Sequence, residues 1–241
     1  KELEGYVHHR IKWKDYTKKR YSGDIYISQD NYKKAFNNRN LIESGRNGGV
    51  SFAEHKRKHR ALFKNDYYTF YWSWVYLNLH DHDKDINDIY TLFDTLQMNK
   101  QLNRHQFANI LVSAIQYIPY TLVHSNTCKE LLKNEGRRCK SYSCLYHKNN
   151  YKNDYANGNP CLPETEFGLQ SPVEFMYNLK GDCDTRSVLA YTLFKHYGYD
   201  AVVLLSRKYG HSVLGLALPA NGDFVRYKGK KYYFWEMTAK R

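Results

Sequence analysis

The chain has 241 residues, a length that allows one large hydrophobic core or a catalytic domain with a smaller appendage. It contains no run of about 18 apolar residues, so no segment is expected to span a bilayer. The net charge of +13 favours anionic surroundings, but the Lys and Arg residues are scattered and no nucleic-acid-binding motif accompanies them. Composition therefore predicts a basic globular protein and gives no strong signal for nucleic-acid binding.

Few elements are predicted in residues 1–100, which we treat as an N-terminal extension of unrecognised type. A strand is expected at Ser22–Ser28. The aromatic run Tyr67–Leu79 is too crowded for its periodicity to separate a strand from a helix, and we assign it to the core. A helix is predicted from about Ile86 to Leu96, with Asp85 as its N-cap.

The patterns become more regular in residues 101–241, which are predicted to form a domain with a Cys-rich insertion at 124–170. Apolar residues at helical spacing predict a helix over Phe107–Ile118. After the insertion, Asp182 is placed to cap a second helix, which Gly198 ends at the C′ position.

Three strands are predicted after this helix, at Ala201–Leu205, Ser212–Leu218 and Tyr232–Thr238. A turn is expected at Asn221-Gly222, between the last two of them. This order places the start of the helix and the ends of the strands within reach of one another.

Three residues of this region form a candidate thiol site, namely Cys183, His211 and Glu236. A thiol that attacks acyl groups needs a lowered pKa, a nearby base and donors for the developing oxyanion. Cys183 falls in the first turn of the helix that Asp182 caps, where free N–H groups and the helix dipole are expected to lower the thiol pKa. His211 begins a strand and supplies the base, and Glu236, on a further strand, can bond the second imidazole nitrogen. The alternative is a small buried cysteine, a hydrogen-bonded histidine and a charge on an edge strand.

Several segments around these residues carry a resemblance to one known family, the transglutaminase-like superfamily in its bacterial cysteine-peptidase-like branch. The resemblance covers about residues 105–238, whereas residues 1–100 match nothing that we can name. The segments that resemble this family are Ile115-Gln116-Tyr117-Ile118-Pro119-Tyr120, Ser171-Pro172-Val173-Glu174-Phe175, Gly181-Asp182-Cys183-Asp184-Thr185-Arg186-Ser187, Gly198-Tyr199-Asp200, Gly210-His211-Ser212 and Tyr233-Phe234-Trp235-Glu236-Met237-Thr238.

The resemblance implies an α+β, papain-like core in which a nucleophile helix packs on an antiparallel sheet. Cys183 is then the nucleophile and His211 the base, while Glu236 takes the orienting position that an Asp usually holds. Gln116 is a candidate oxyanion donor together with the backbone N–H of Cys183; the alternative is a solvated polar residue beside the apolar stripe. The longer Glu is a departure from the family pattern.

The resemblance also implies an acyl-enzyme that passes to water, giving hydrolysis, or to an amine, giving cross-linking. Cross-linking transglutaminases typically have Trp directly after the nucleophile, whereas Asp184 follows here. This departure favours hydrolysis. The mechanism requires no cofactor.

Four further cysteines, Cys128, Cys139, Cys144 and Cys161, lie in the insertion. We expect them to form disulfides, with connectivity that the sequence leaves open. The alternatives are free thiols, or a zinc site built from Cys139, Cys144 and His147 with Cys161 or Cys128. Disulfides imply an oxidising compartment.

The sequence therefore predicts a thiol-dependent amide hydrolase that acts on a peptide or protein substrate through a Cys-His-Glu triad. One alternative is a cross-linking or amine-transfer enzyme of the same fold; another is a non-catalytic module that holds an anionic polymer on its basic surface. The chain begins at Lys1 without an initiator Met. We expect an exported protein of the periplasm or cell envelope, with its signal or anchor absent from this chain.

Overall fold

The structure, a computed structural model, describes residues 3–46, 48–81, 86–128 and 161–238. It belongs to the mixed α+β class, as the sequence predicts. Among these residues, no helix is both long and apolar enough to cross a membrane.

The chain starts with an antiparallel hairpin of β1, Tyr6–Lys14, and β2, Arg20–Ser28. The strand predicted at Ser22–Ser28 is confirmed and begins two residues earlier. Its partner β1 was not predicted, because histidines and basic residues occupy most of its positions and leave little apolar alternation.

Between this hairpin and residue 101, the described residues form five helices. The aromatic run is helical, and its residues Phe70, Trp74 and Val75 are buried. The helix predicted over Ile86–Leu96 is present but starts one residue later and extends to Lys100, while its expected cap Asp85 lies outside the described residues. The bounds are α1 Gln29–Asn40, α2 Phe52–Lys58, α3 Arg60–Asn65, α4 Tyr67–Asp81 and α5 Asn87–Lys100.

The helix predicted over Phe107–Ile118 is α6, Arg104–Tyr117. It starts three residues early because Asn103 and Gln106 form a reciprocal capping box, which satisfies N–H groups that the first turn leaves without helical partners. Its apolar side chains are buried in the main core.

Between α6 and the main sheet, the described residues form two α-helices and two short strands. Strands β3, Leu122–Val123, and β4, Cys161–Leu162, pair in parallel. Helix α7 covers Pro172–Asn178 and α8 covers Cys183–His196. Both predicted ends of α8 are confirmed: the Asp182 carboxylate accepts a hydrogen bond from the Thr185 N–H, and Gly198 follows the C-cap with φ +66°.

The main sheet has four antiparallel strands in the order β5-β6-β8-β7. The three predicted strands correspond to β5, β6 and β8, and Asn221-Gly222 lies in the connection from β6 to β7. The additional strand β7 joins β8 through Lys228-Gly229, both with positive φ, as a two-residue hairpin turn requires. The bounds are β5 Ala201–Ser206, β6 His211–Leu216, β7 Phe224–Tyr227 and β8 Lys230–Trp235.

Residues on both sides of position 101 contribute to one hydrophobic core. Trp13 and Ile25 of the hairpin belong to the same buried cluster as Leu193 of α8. A buried ion pair also joins the two regions, since Arg39 Nε of α1 lies 3.0 Å from a carboxylate oxygen of Glu174 in α7. The N-terminal residues therefore pack directly against the elements that carry the candidate site, and the division near residue 100 stays a prediction.

Candidate active site

Cys183 is the first residue of α8 and the free cysteine of the described residues. Its side chain is 7% exposed, because Gly181 and Asp182 lead into the helix through a buried segment. The N-cap Asp182 is buried as well, and its second carboxylate oxygen accepts a hydrogen bond from the Val123 N–H of β3. These contacts fix the start of the helix and hence the position of the thiol.

The pKa of the Cys183 thiol lies well above its ordinary value, which makes the expectation of a lowered pKa wrong. Burial is the main cause, and the charges of Asp184 and Asp182 add to it. Hydrogen bonds from the backbone and side chain of Ser212 favour the thiolate but are outweighed. The prediction took account of the helix terminus alone, whereas burial and the two carboxylates beside Cys183 favour the neutral thiol.

Burial also raises the pKa of Asp182 to about 7, with the charge of Asp184 as the second cause. The N-cap carboxylate therefore titrates near neutrality, although N–H groups of Thr185 and Val123 stabilise its charged form.

His211 begins β6, as predicted, and its Nε2 lies 2.8 Å from Oε2 of Glu236. Glu236 directly follows β8 instead of lying within a strand, which corrects the predicted range Tyr232–Thr238. The pairing of Leu214 with Trp235 aligns β6 and β8 so that the two side chains meet. The predicted bond between histidine and glutamate is therefore present.

The pair shifts both pKa values toward the charged forms. The hydrogen bond to Glu236 raises the pKa of His211, although burial acts in the opposite direction. Burial raises the pKa of Glu236, but the hydrogen bonds from His211 and from the hydroxyl and N–H of Thr238 together lower it to about 2. Glu236 is thus held as a carboxylate, and its hydrogen bond uses Nε2 of His211, so the base role predicted for His211 would fall to Nδ1.

Ser212, the residue next to His211, forms hydrogen bonds to the Cys183 thiol through its backbone and its side chain. Ser212 is fully buried, and its hydroxyl donates to the Ser187 hydroxyl of α8 at 3.1 Å, which joins β6 to α8. The charge of Asp184 raises the pKa of both Cys183 and His211, which places this carboxylate near both groups.

Gln116 lies at the end of α6 and is 6% exposed. Its Nε2 donates a hydrogen bond of 2.7 Å to the backbone carbonyl of Glu236. The structure therefore brings Gln116 to the same site, where it supports the chain at Glu236; its role as an oxyanion donor stays a prediction.

Two contributors to the site were not assigned from the sequence. The Tyr76 hydroxyl of α4 donates to Asp184 Oδ1 at 2.6 Å, and no sequence signal distinguishes Tyr76 within its aromatic run. Arg186 has no exposed surface and donates to the carbonyls of Gly181, Ile115, Ile118 and Met237, which ties α6, the start of α8 and the residue after Glu236 together. The sequence did contain a signal for this role, because the helical spacing places Arg186 on the buried side of α8 with Leu189 and Leu193.

The cysteines of the insertion are described in part. Cys128 and Cys161 form a disulfide with an S–S distance of 2.07 Å, so neither thiol remains for the zinc site considered above. Cys139, Cys144 and His147 lie outside the described residues. Within the residues that are described, no group of three His, Cys, Asp or Glu side chains is placed to hold a metal ion.

Comparisons of the chain with protein-family models, curated proteins and solved structures found no match. The resemblance to the transglutaminase-like superfamily stays a prediction from the sequence segments. The chemistry of the site consequently depends on the residues themselves.

Proposed function

We propose that this protein is a thiol-dependent amide hydrolase with a papain-like core, in which Cys183, His211 and Glu236 form the triad. The observation that carries the proposal is the hydrogen bond of 2.8 Å between His211 Nε2 and Glu236. This bond fixes the tautomer and orientation of the His211 imidazole. The next residue of the same strand, Ser212, forms hydrogen bonds to the thiol of Cys183 at the start of α8.

The reaction begins with the neutral thiol, since its pKa is raised. As the sulfur attacks the amide carbonyl, the thiol proton moves to Nδ1 of His211, and Glu236 stabilises the imidazolium. The imidazolium then gives this proton to the leaving amine, and the C–N bond breaks to leave a thioester on Cys183. Water, deprotonated by His211, attacks the thioester and releases the carboxylic acid and the thiol.

Oxyanion stabilisation needs donors beside the sulfur. The backbone N–H of Cys183 lies at a helix N-terminus, where N–H groups lack helical partners. Gln116 supplies the second donor in this proposal, through the Nε2 hydrogen that is not used by the Glu236 carbonyl.

An exported location fits the same proposal. A disulfide persists in oxidising compartments, and the bond between Cys128 and Cys161 is one. A thiol nucleophile that is itself buried is protected there from unwanted pairing.

One observation favours a second candidate, the non-catalytic binding module. Cys183 is 7% exposed and its pKa is raised, which are properties of an inert structural cysteine. The deciding experiment must therefore report acylation of this sulfur directly.

We would mix the protein with p-nitrophenyl acetate and measure the burst of p-nitrophenolate together with the acetylated peptide by mass spectrometry. The hydrolase predicts an acetyl group on Cys183 and a burst that disappears in Cys183→Ala. In His211→Ala, the acylation rate should fall about a hundredfold or more. Peptide mapping is needed because Cys139 and Cys144 are further candidates for labelling.

The matched control is Ser44→Ala, an exposed serine of the N-terminal region, which should acylate like the original protein. A folded protein that gives no burst and no acetyl group on Cys183 would exclude the hydrolase and leave the binding module. Adding glycinamide to the acyl-enzyme distinguishes a hydrolase from a transferase, because only a transferase gives a product that carries the amine.

A further inference from the structure

The tip of the β1–β2 hairpin carries a dense group of basic side chains. Lys12 and Lys14 project from the exposed face of β1, Lys18 and Lys19 lie in the turn, and Arg20 begins β2 opposite Lys14. All five are exposed. Ion pairs in the described part of the chain involve none of them.

The carboxylate nearest in sequence, Asp15, is directed into the turn. It accepts hydrogen bonds from the N–H and hydroxyl of Thr17, the N–H of Lys19 and the hydroxyl of Tyr21, and it is 8% exposed. Because Asp15 is used to build the turn, the exposed charged side chains of residues 14–20 are all cationic.

A cavity of about 350 Å³ opens beside these cations. Lys12, Lys14 and Arg20 lie at its edge, and the rings of Trp13, Tyr21 and Tyr117 contribute its apolar wall. This volume is within the range of ligand-binding clefts.

The cleft adjoins a second, smaller cavity of about 20 Å³, and Lys14 and Tyr117 line both. The smaller cavity is also lined by Gln116 and Glu236 of the candidate site. The basic cleft therefore lies next to a cavity that Glu236 of the proposed triad lines.

We propose that the basic hairpin tip and its cleft bind an acidic stretch of the polypeptide substrate. Lys12 and Lys14 are two positions apart on strand β1, which places their Cα atoms about 6.6 Å apart. Side chains at alternate positions of an extended peptide have the same spacing, so carboxylates at positions i and i+2 can face both lysines. This inference rests on the proposed function, since it names the substrate class of that site.

The charges near the thiol restrict where the acidic stretch lies in the substrate. Asp184 adjoins Cys183, and its negative charge acts on both the thiol and His211. Acidic residues directly beside the cleaved amide would meet this carboxylate. The proposed substrate is therefore neutral or basic at the cleaved bond, and its acidic stretch lies elsewhere in the peptide.

The first test is binding to Cys183→Ala protein, which cannot consume the peptide. The probe is a fluorescein-labelled 12-residue peptide with four alternating Glu residues, and its comparison has Gln in their place. Fluorescence anisotropy should show tighter binding of the Glu peptide, with an affinity that falls as salt is added. Lys12→Glu/Lys14→Glu should weaken it about tenfold or more.

The matched control is Lys33→Glu/Lys34→Glu, which reverses the same charge on the exposed face of α1 and should change affinity less than about twofold. If Lys12→Glu/Lys14→Glu fails to fold, Lys12→Gln/Lys14→Gln removes the charge more gently. The proposal would be overturned if Lys12→Glu/Lys14→Glu and Lys33→Glu/Lys34→Glu lost the same affinity for the Glu peptide. Equal affinity of the protein for the Glu and Gln peptides would also overturn it.

A single-stranded oligothymidylate of 12 nucleotides forms the third arm. Binding at least about tenfold tighter than the Glu peptide, and lost in Lys12→Glu/Lys14→Glu, would identify a nucleic-acid surface and overturn the peptide assignment. Binding of the Glu peptide without any acylation of Cys183 would support the docking surface while excluding the hydrolase. Acylation without preference for the Glu peptide would support the hydrolase and exclude this inference.

Discussion

Replacing Glu236 with Gln removes the charge of the His211 partner while keeping its size. The pKa of Glu236 falls from 4.5 to about 2 in the folded protein. At 1.36 kcal/mol per pKa unit, this shift corresponds to about 3 kcal/mol of stability. The two side chains are about one-third exposed, with relative accessibilities of 33% and 32%, so solvent screening reduces the expected loss to about 1–3 kcal/mol.

The pH dependence of this loss follows from the two shifts. The folded pKa of Glu236 is lowered, so its contribution is present above pH 4.5 and is lost as the pH falls toward about 2. The folded pKa of His211 is raised, so its contribution is complete below pH 6.5 and is lost as the pH rises through the folded value. Glu236→Gln should therefore cost most stability between about pH 4.5 and pH 6.5 and less on either side.

Urea unfolding from pH 2.5 to pH 9 measures the free energy of unfolding of both proteins. NMR titration of the imidazole resonances reports the pKa of His211, which should be lower in Glu236→Gln. The control Glu4→Gln removes an exposed carboxylate of the N-terminal end and should show no maximum in this window. A stability loss that is constant over the whole pH range, or a His211 pKa that does not fall, would refute this account of the pair.

Two further predictions concern contacts between the N-terminal residues and the site. Arg39→Met should destabilise the protein by about 3–5 kcal/mol in urea unfolding, because it leaves the buried carboxylate of Glu174 without its partner. The double variant Arg39→Met/Glu174→Leu should recover much of this stability. A double variant that is no more stable than Arg39→Met would contradict the argument. Tyr76→Phe removes the hydroxyl that bonds Asp184 at 2.6 Å and should cost about 1–2 kcal/mol in the same assay, whereas an unchanged midpoint would show that water replaces this hydroxyl.

The helix that carries the thiol was predictable because its signals are local. Asp182 and Gly198 stand at its two ends, and both have the conformations that their residue types favour. The strand β7, Phe224–Tyr227, was missed because it is four residues long and mostly exposed. Hairpin strand β1 was missed for a related reason, since most of its side chains are polar.

Contacts between distant residues could not be predicted from local patterns. Arg39 and Glu174 are 135 positions apart, and neither has a neighbouring motif that indicates the other. The bond from Tyr76 to Asp184 spans 108 positions and depends on α4 being a helix, which the crowded aromatic run did not reveal. The prediction of a lowered pKa for Cys183 was wrong for the same reason. The helix terminus is a local feature of the sequence, whereas burial depends on distant residues.

The carboxylate of Asp184 acts on both partners of the proposed proton transfer. By raising the pKa of Cys183 it disfavours loss of the thiol proton, and by raising the pKa of His211 it favours gain of that proton. These two effects partly cancel in a transfer from sulfur to imidazole. The two effects of burial do not cancel, because burial raises the pKa of the Cys183 thiol and lowers that of the His211 imidazole. Both effects disfavour the thiolate–imidazolium pair.

In the proposed reaction, the resting site holds a neutral thiol and a histidine that Glu236 keeps oriented, and charge separates only in the step in which the substrate is attacked. Donors to the oxyanion are then needed for charge that forms during the reaction, which is where electrostatic stabilisation is most effective. Tyr76 of the N-terminal region bonds Asp184, and the charge of Asp184 acts on both Cys183 and His211, so this region is part of the electrostatic surroundings of the proposed reaction.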